Sequence, residues 1–139
     1  MSSSLPVVVG VIVAALLVAA VVGRVLTRRA GVVRSTETAD VATDGLGLPA
    51  DRPAILHFSA DWCGPCQSVR RVVDEVCAAL PVVAHLEIDM DANPAAARQL
   101  SVMSLPTTFI FDADGRQRYR TSGVPKGADL RSALEPLLA

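Results

Sequence analysis

The sequence contains few cysteines and histidines, the residues that form structural zinc sites. It contains three cysteines and two histidines among 139 residues, and only Cys63 and Cys66 have the C-x-x-C spacing. A structural zinc site needs four ligands, and neither a second C-x-x-C pair nor an H-x3-H pair is present. We therefore expect no metal. The third cysteine, Cys77, falls within a helical pattern and is interpreted as a small packing residue rather than a third redox thiol.

An excess of basic charge is absent as well. The chain has 13 lysines and arginines against 14 acidic residues, and no basic residue precedes Arg24. From Ala30 onward, 10 basic residues remain against all 14 acidic ones, because Arg24, Arg28 and Arg29 lie earlier. The resulting net charge of about −4 is unlike the basic footprint of a nucleic-acid-binding protein, so we expect no nucleic acid partner.

Long apolar runs are absent from most of the chain, and the exception stands at its start. The segment Leu5–Leu26 has no charged residue before Arg24. A helix rises about 1.5 Å per residue, so this length crosses a hydrocarbon core of about 30 Å. We predict a transmembrane anchor over residues 1–30. A cleaved secretory signal peptide is the alternative, but its positively charged start is missing here.

The residues after the apolar run predict an orientation. Arg24, Arg28, Arg29 and Arg34 follow or end the run, whereas no basic residue precedes it. Positive charge favours the cytoplasmic side of a membrane. The sequence therefore predicts a single-pass protein of the cell membrane whose remaining chain lies in the cytoplasm.

A polar segment separates the anchor from the first apolar strand. Residues 31–53 are rich in Gly, Thr, Asp and Pro, a composition typical of linkers. We interpret residues 31–53 as a tether and residues 54–139 as one globular domain. The tether is also long enough to hold a degenerate first strand and helix.

Hydrophobic periodicity becomes informative from Ala54 onward. The run Ala54–Phe58 is apolar except for His57, as expected for a strand that is covered on both faces. A helix follows and ends at Pro81, and its apolar residues recur with helical spacing: Val69, Val72, Val73, Val76 and Leu80. A second strand over Val82–Asp89 completes a βαβ unit.

The second half of the domain predicts a helix, a hairpin and a final helix. Asn93 and Pro94 suit the start of a helix. The apolar run Thr107–Phe111 and the Asp-Gly turn after it predict a β-hairpin. From Ala128 the leucines recur on one side of a helix. The predicted fold is α/β, with a βαβ unit, a β-hairpin and a C-terminal helix, preceded by one N-terminal transmembrane helix.

The cysteine pair stands where the first strand of this domain turns into its first helix, in the string "FSADWCGPC". Together with "IDMDANPAAARQLSVMSLPTTFIF", this string makes residues 54–138 resemble thioredoxin. The resemblance implies a thioredoxin-like fold and a thiol–disulfide oxidoreductase that needs no cofactor. It also implies two partners, a disulfide-containing client protein and an electron donor of the thioredoxin-reductase type.

The physical chemistry of a helix start explains the cysteine spacing. A helix that begins at Cys63 directs its free N–H groups and the positive end of its dipole at that sulfur, which stabilises the thiolate. Cys66, one turn further in, can attack the mixed disulfide that Cys63 forms with a client. Gly64 allows close approach of the client backbone, and Pro65 fixes φ without removing a needed N–H. A merely structural disulfide, the alternative, is unusual in a cytosolic domain.

The resemblance adds three residues to a client-binding surface. Trp62 matches a contact residue of the family, although in isolation it could be a packing residue. Pro106 matches a cis-proline that faces the disulfide, where the backbone of Leu105 pairs with an extended client segment. Without the resemblance, the "LPT" sequence would indicate only a strand boundary.

Two positions depart from the family pattern. Thioredoxins usually carry a buried Asp six residues before the first cysteine and a Lys on the neighbouring strand, where this chain has His57 and His85. A neutral His57 could take the proton of the resolving Cys66, because an unperturbed imidazole has a pKa of about 6.5. The alternative is that both imidazoles only hydrogen-bond each other or water.

Two other functions remain open from the sequence. The domain could lie outside the cytoplasm and act as a reductant for cytochrome or envelope-protein maturation. The arginine-rich flank and the lack of an inserted segment in the core argue against that function. The domain could instead dock a client without redox turnover, which the intact cysteine pair disfavours.

Overall fold

The fold is taken from a computed structural model of the chain, which describes residues 4–39 and 43–139. Residues 1–3 of the predicted anchor and residues 40–42 of the predicted tether lie outside the described residues. The following elements are numbered in chain order.

The chain divides into two compact units, Met1–Ala30 and Gly31–Ala139. The first unit holds one helix, α1 (Leu5–Arg29), with a proline in its first turn. The range Leu5–Arg28 is long and apolar enough to cross a membrane. A signal sequence near an N-terminus meets the same criteria of length and composition.

The second unit is built on a mixed sheet whose described strands follow the order β1-β5-β4-β2-β3. The strands are β1 (Arg34–Ala39), β2 (Ala54–Ser59), β3 (Ala84–Asp89), β4 (Thr107–Phe111) and β5 (Gln117–Ser122). Strand β2 pairs parallel with β3 and antiparallel with β4, while β5 pairs antiparallel with both β4 and β1. The parallel pair requires a crossover connection, and a helix supplies it, as the βαβ pattern predicted.

Helices cover both faces of the sheet. The crossover helix α2 (Gly64–Ala79) and the C-terminal helix α4 (Gly127–Leu138) pack over one apolar cluster. The short helix α3 (Pro94–Gln99) lies over a second cluster. The predicted α/β fold, with its βαβ unit, hairpin and final helix, is confirmed.

Strand β2 lies in the middle of the sheet, and all of its residues are buried. Ile55 belongs to the cluster beneath α2 and α4, whereas Leu56 and Phe58 belong to the cluster beside α3. Because side chains alternate along a strand, His57 and Ser59 point to the same face as Ile55. This alternation places two polar side chains on the face of the sheet that α2 covers.

Strand β1 lies in the segment 31–53 that was interpreted as a tether with room for a degenerate first strand. The strand, Arg34–Ala39, pairs with β5. Thr36 Oγ1 also accepts a hydrogen bond from Gln117 Nε2 at 3.2 Å. Further along the same range, Leu46 is buried against the α3 cluster. An edge strand can be polar because it is only partly covered, so the segment shows no apolar alternation.

Strand β3 is shorter than predicted. The alternation suggested Val82–Asp89, but β3 extends over Ala84–Asp89. A turn precedes it, closed by a hydrogen bond from the Val83 N–H to the Leu80 carbonyl at 2.9 Å. Val82 is consequently half exposed rather than part of the sheet.

Candidate active site

The two cysteines of the C-x-x-C pair are joined by a disulfide at the start of α2. The S–S distance between Cys63 and Cys66 is 2.07 Å. Cys63 is the N-cap residue of α2, and Pro65 lies in the first turn, where a missing N–H removes no helix bond. The Cys63 N–H donates to the Ala60 carbonyl at 3.0 Å, which fixes the turn from β2 into α2.

This position determines how the pair reacts once it is reduced. The N–H groups and the dipole at the start of α2 favour the thiolate of Cys63 over its thiol. Cys66 is 2% exposed, against 7% for Cys63, and its Sγ lies 3.9 Å from the Phe58 carbonyl oxygen. Cys63 is therefore the more exposed of the two cysteines, and Cys66 is the more buried one.

A loop with a cis peptide bond lies against the disulfide. The cis bond joins Leu105 and Pro106. Leu105 packs on the small cluster formed by Ala60 and the two cysteines. Pro106 is buried, and its carbonyl accepts a hydrogen bond from the Gly123 N–H at 2.9 Å. The structure thus brings the predicted "LPT" segment next to the predicted cysteine pair.

Trp62 lies on the surface beside the disulfide and is 67% exposed. Its indole Nε1 donates a hydrogen bond to Asp91 Oδ2 at 2.9 Å. Gly64 and Pro65, the residues between the cysteines, are also exposed. An indole that is held by one edge and open to solvent is unlike a packing residue and suits a contact surface.

A polar groove of about 410 Å³ opens beside the disulfide. Its lining contains both cysteines and seven further residues: Ser59, Ala60, Asp61, Gln67, Arg70, Glu87 and Asp89. The groove therefore places one guanidinium group and three carboxyl groups next to the two cysteines.

Glu87 is the most extensively bonded carboxylate of this groove. It accepts hydrogen bonds from both Nε and Nη2 of Arg70, with 2.7 Å from Nε to Oε2. Ser59 Oγ donates a further bond to Oε1 at 2.7 Å. The Arg70 guanidinium, helped by Ser59, lowers the pKa of Glu87 to about 2, so the carboxylate is charged at neutral pH. Its Oε2 lies 3.7 Å from His57 Nε2, too far for a hydrogen bond but close enough to stabilise an imidazolium.

His57 is fully buried in the middle of β2. Its Nδ1 lies 3.1 Å from Nε2 of His85 on the neighbouring strand. Its Nε2 has no hydrogen-bond partner among the described residues. Burial lowers the pKa of His57 to about 4, although the charge of Glu87 opposes the shift. The imidazole of His57 is therefore neutral at physiological pH.

His85 connects this buried imidazole to the surface. Its Nδ1 lies 2.9 Å from Oδ1 of Asp74 on α2. The exposed fraction of the side chain is 0% at His57 and rises to 19% at His85 and 60% at Asp74. Three titratable side chains thus form a continuous line from the core to solvent.

The sequence identified the two cysteines and both histidines but missed three charged residues around them. On α2, Cys66, Arg70 and Asp74 are spaced four residues apart, so they share one stripe of the helix. On β3, His85 and Glu87 are two residues apart and share one face of the strand. These spacings could have indicated that Arg70, Asp74 and Glu87 lie near the cysteines and histidines. The strong apolar alternation on the other face of β3 obscured this pattern.

A C-x-x-C disulfide at a helix N-terminus, flanked by a cis-proline loop and carried on this α/β sheet, defines a thiol–disulfide oxidoreductase with a thioredoxin-like fold. A family model described as Thioredoxin matches residues 40–136. The chain therefore belongs to the thioredoxin family.

Curated relatives agree with this assignment. A thioredoxin of Mycolicibacterium smegmatis is 39% identical over 100 residues, which cover 70% of this chain and 87% of the relative. A thioredoxin of Chlamydia trachomatis is 38% identical over 93 residues, which cover 67% of this chain and 83% of the relative.

Solved structures agree as well. A mutant thioredoxin from Halobacterium salinarum superposes with a TM-score of 0.58 at 33% identity, covering 72% of this chain and 81% of that one. Chloroplastic thioredoxin z also gives a TM-score of 0.58, at 31% identity, covering 63% of this chain and 80% of that one.

Proposed function

We propose that this chain is a membrane-tethered thioredoxin that reduces disulfides of client proteins at the cytoplasmic face of the cell membrane. The observation that carries the proposal is the Cys63–Cys66 disulfide at the N-terminus of α2, beside the exposed Trp62. The family assignment supports the activity class. Beyond that class, the proposal includes the membrane tether, its orientation and the roles of individual site residues.

The reaction begins at the outer cysteine. The Cys63 thiolate attacks one sulfur of the client disulfide, and the other client sulfur leaves with the bonding electrons. The Cys66 sulfur then attacks Cys63 in this mixed disulfide, and the second client sulfur leaves as a thiolate. The client has gained two electrons and this chain holds the Cys63–Cys66 disulfide. A donor of the thioredoxin-reductase type returns the two electrons and restores the dithiol.

The client is held by the surface around the disulfide. The exposed face of Trp62 supplies an apolar contact next to the nucleophile. Gly64 and Pro65 let a backbone approach, because neither presents a long side chain. Leu105 offers its backbone to an extended client segment, and Pro106 holds the loop in place against the disulfide.

His57 acts as the general base for the second step. The resolving Cys66 is a thiol in an interior position and must lose its proton to attack. A buried neutral imidazole with a free nitrogen lone pair can take that proton, directly or through one water. The charge of Glu87 then stabilises the imidazolium that forms.

Helix α1 is the membrane tether of this proposal. Its length and apolar composition support a span, and the arginines that follow it support a cytoplasmic domain. A protease added outside intact cells should then leave the domain uncut, and the full chain should stay in membranes after an alkaline wash. A soluble product cut near Gly31 would instead favour a cleaved signal and a reductant outside the cytoplasm.

Trapping the mixed disulfide tests the redox proposal. Full-length Cys66→Ser, kept in its membrane, should accumulate client proteins that a reductant releases, because resolution is blocked. The matched control is the double variant Cys63→Ser, Cys66→Ser, which should capture none. Equal capture by the two variants would contradict covalent turnover and favour a client-docking module.

A further inference from the structure

Asp74, His85 and His57 form a hydrogen-bonded line from the exposed side of α2 to the centre of β2. The two contacts measure 2.9 Å and 3.1 Å. We propose that Asp74 and His85 are positioning residues that fix the tautomer of His57 and conduct its proton to and from solvent. This inference rests on the proposed role of His57 as the base.

In the dithiol state, the hydrogen-bond roles along the line follow from its outer end. The carboxylate of Asp74 can only accept, so a neutral His85 places its proton on Nδ1. The lone pair of that imidazole is then on Nε2, which accepts from His57. The proton of His57 consequently lies on Nδ1, and its lone pair lies on Nε2.

The atom left with the lone pair is the one without a partner. Nε2 of His57 has no hydrogen-bond donor among the residues that the structure describes. The charged or titratable groups around this ring are His85 and Glu87 from β3 and Arg70 and Asp74 from α2. Glu87 is the group that faces Nε2, at 3.7 Å, and a negative charge there favours arrival of a proton. The line thus prepares one defined nitrogen to act as a base.

The proton step in resolution can be written atom by atom. Cys66 gives its thiol proton to Nε2 of His57, and its sulfur uses the freed electron pair to bond to the Cys63 sulfur. The client sulfur leaves with the electrons of the broken S–S bond and takes a proton from solvent. The Nδ1 proton of His57 passes to Nε2 of His85, and the Nδ1 proton of His85 passes to Asp74, whose carboxyl group then donates to the emptied Nδ1.

The return half of the cycle resets the line. After resolution, both imidazoles carry their protons on Nε2. When the electron donor reduces the Cys63–Cys66 disulfide, the Cys66 thiolate is released and takes the proton back from His57. Protons then move inward from Asp74 and His85. Neither ring has to rotate, because the two half-reactions move the proton in opposite directions.

Nitrogen NMR of the reduced full-length chain in detergent micelles tests the tautomer directly. At neutral pH, His57 should show a protonated Nδ1 and an unprotonated Nε2. In Asp74→Ala the line loses its outer acceptor, and the His57 signals should shift toward a mixture of the two tautomers. Glu75→Ala, which removes an exposed acidic neighbour from the same helix, is the matched control and should match the wild type. A proton on Nε2 in the wild type would overturn the proposal.

The rate of mixed-disulfide decay separates this inference from the base proposal. Asp74→Ala should slow decay roughly three- to tenfold, the range expected when an ordinary intramolecular hydrogen bond is lost. Glu75→Ala should leave the rate unchanged. Slow mixed-disulfide decay in His57→Ala, together with a wild-type rate in Asp74→Ala, would contradict the roles proposed for Asp74 and His85 but leave His57 as the base. A wild-type rate of decay in His57→Ala would contradict the role of His57 as the base.

Discussion

Nδ1 of His57 lies 3.1 Å from Nε2 of His85, and the two rings are stacked with their centroids 5.0 Å apart. The pair joins the parallel strands β2 and β3 on the face that α2 covers. One imidazole is fully buried and the other is partly exposed. Burial keeps His57 neutral, so the stability of the fold should depend on pH through this residue.

The first prediction concerns that dependence. The pKa of His57 is about 4 in the folded chain and 6.5 in the unfolded chain. Between these values the unfolded state binds more protons than the folded state. The contribution of His57 to the free energy of unfolding is therefore fully present above pH 6.5 and is lost as the pH falls toward 4. The loss attributable to His57 should be ~3 kcal/mol. Urea unfolding of the full chain in detergent, followed by circular dichroism at several pH values, measures it.

The variant His57→Gln isolates this contribution. An amide can still donate to Nε2 of His85, but it does not titrate. The variant should lose the part of the pH dependence that falls between 6.5 and 4, while other groups contribute as before. An unchanged slope in the variant would show that His57 is not the group responsible.

The second prediction concerns Glu87. Its negative charge raises the pKa of His57, while burial and the Arg70 guanidinium lower it. Glu87→Gln removes the opposing charge, so the pKa of His57 should fall below about 4. An NMR titration of the His57 ring checks this direction. Asp89→Asn, on the same face of β3, is the control, and a rise of the His57 pKa in Glu87→Gln would contradict the assigned geometry.

The third prediction concerns client binding by Trp62. Because the indole is 67% exposed, Trp62→Ala should change the free energy of unfolding little. It should raise KM for a folded protein disulfide by roughly tenfold, the effect of losing about 1.4 kcal/mol of aromatic contact. Asp91→Ala removes the Nε1 acceptor but keeps the ring, so its effect should be smaller. Equal KM in Trp62→Ala and wild type would exclude the indole from the client surface.

The central elements of the fold could be predicted because their sequence patterns are strong. The run from Ala54 is apolar at nearly every position, and Val69, Val73 and Val76 recur with helical spacing, so β2 and α2 were identified. Strand β1 could not be identified in this way. Its residues are polar, and its place at the sheet edge depends on pairing with β5, which a local pattern does not encode.

The candidate site could likewise be predicted only in part from the sequence. The cysteine pair and the Leu105–Pro106 segment carry recognisable local strings, and the structure places them together. The line through His85 to Asp74 depends on how α2 crosses β3, which only the packed structure defines. A charged residue on an exposed helix face has many ordinary explanations in sequence, so Asp74 carried no distinctive signal.

The central claim is that Cys63 is the nucleophile of a redox cycle, and turnover of single-cysteine variants tests it most directly. Cys77 provides the matched control, because burial raises the pKa of its thiol and leaves it a poor nucleophile. With the full chain in membranes, a protein disulfide as substrate and a chemical dithiol as donor, Cys77→Ser should reduce the substrate at the wild-type rate. Cys63→Ser should show no turnover above the rate of the donor alone. Wild-type turnover in Cys63→Ser would contradict the account.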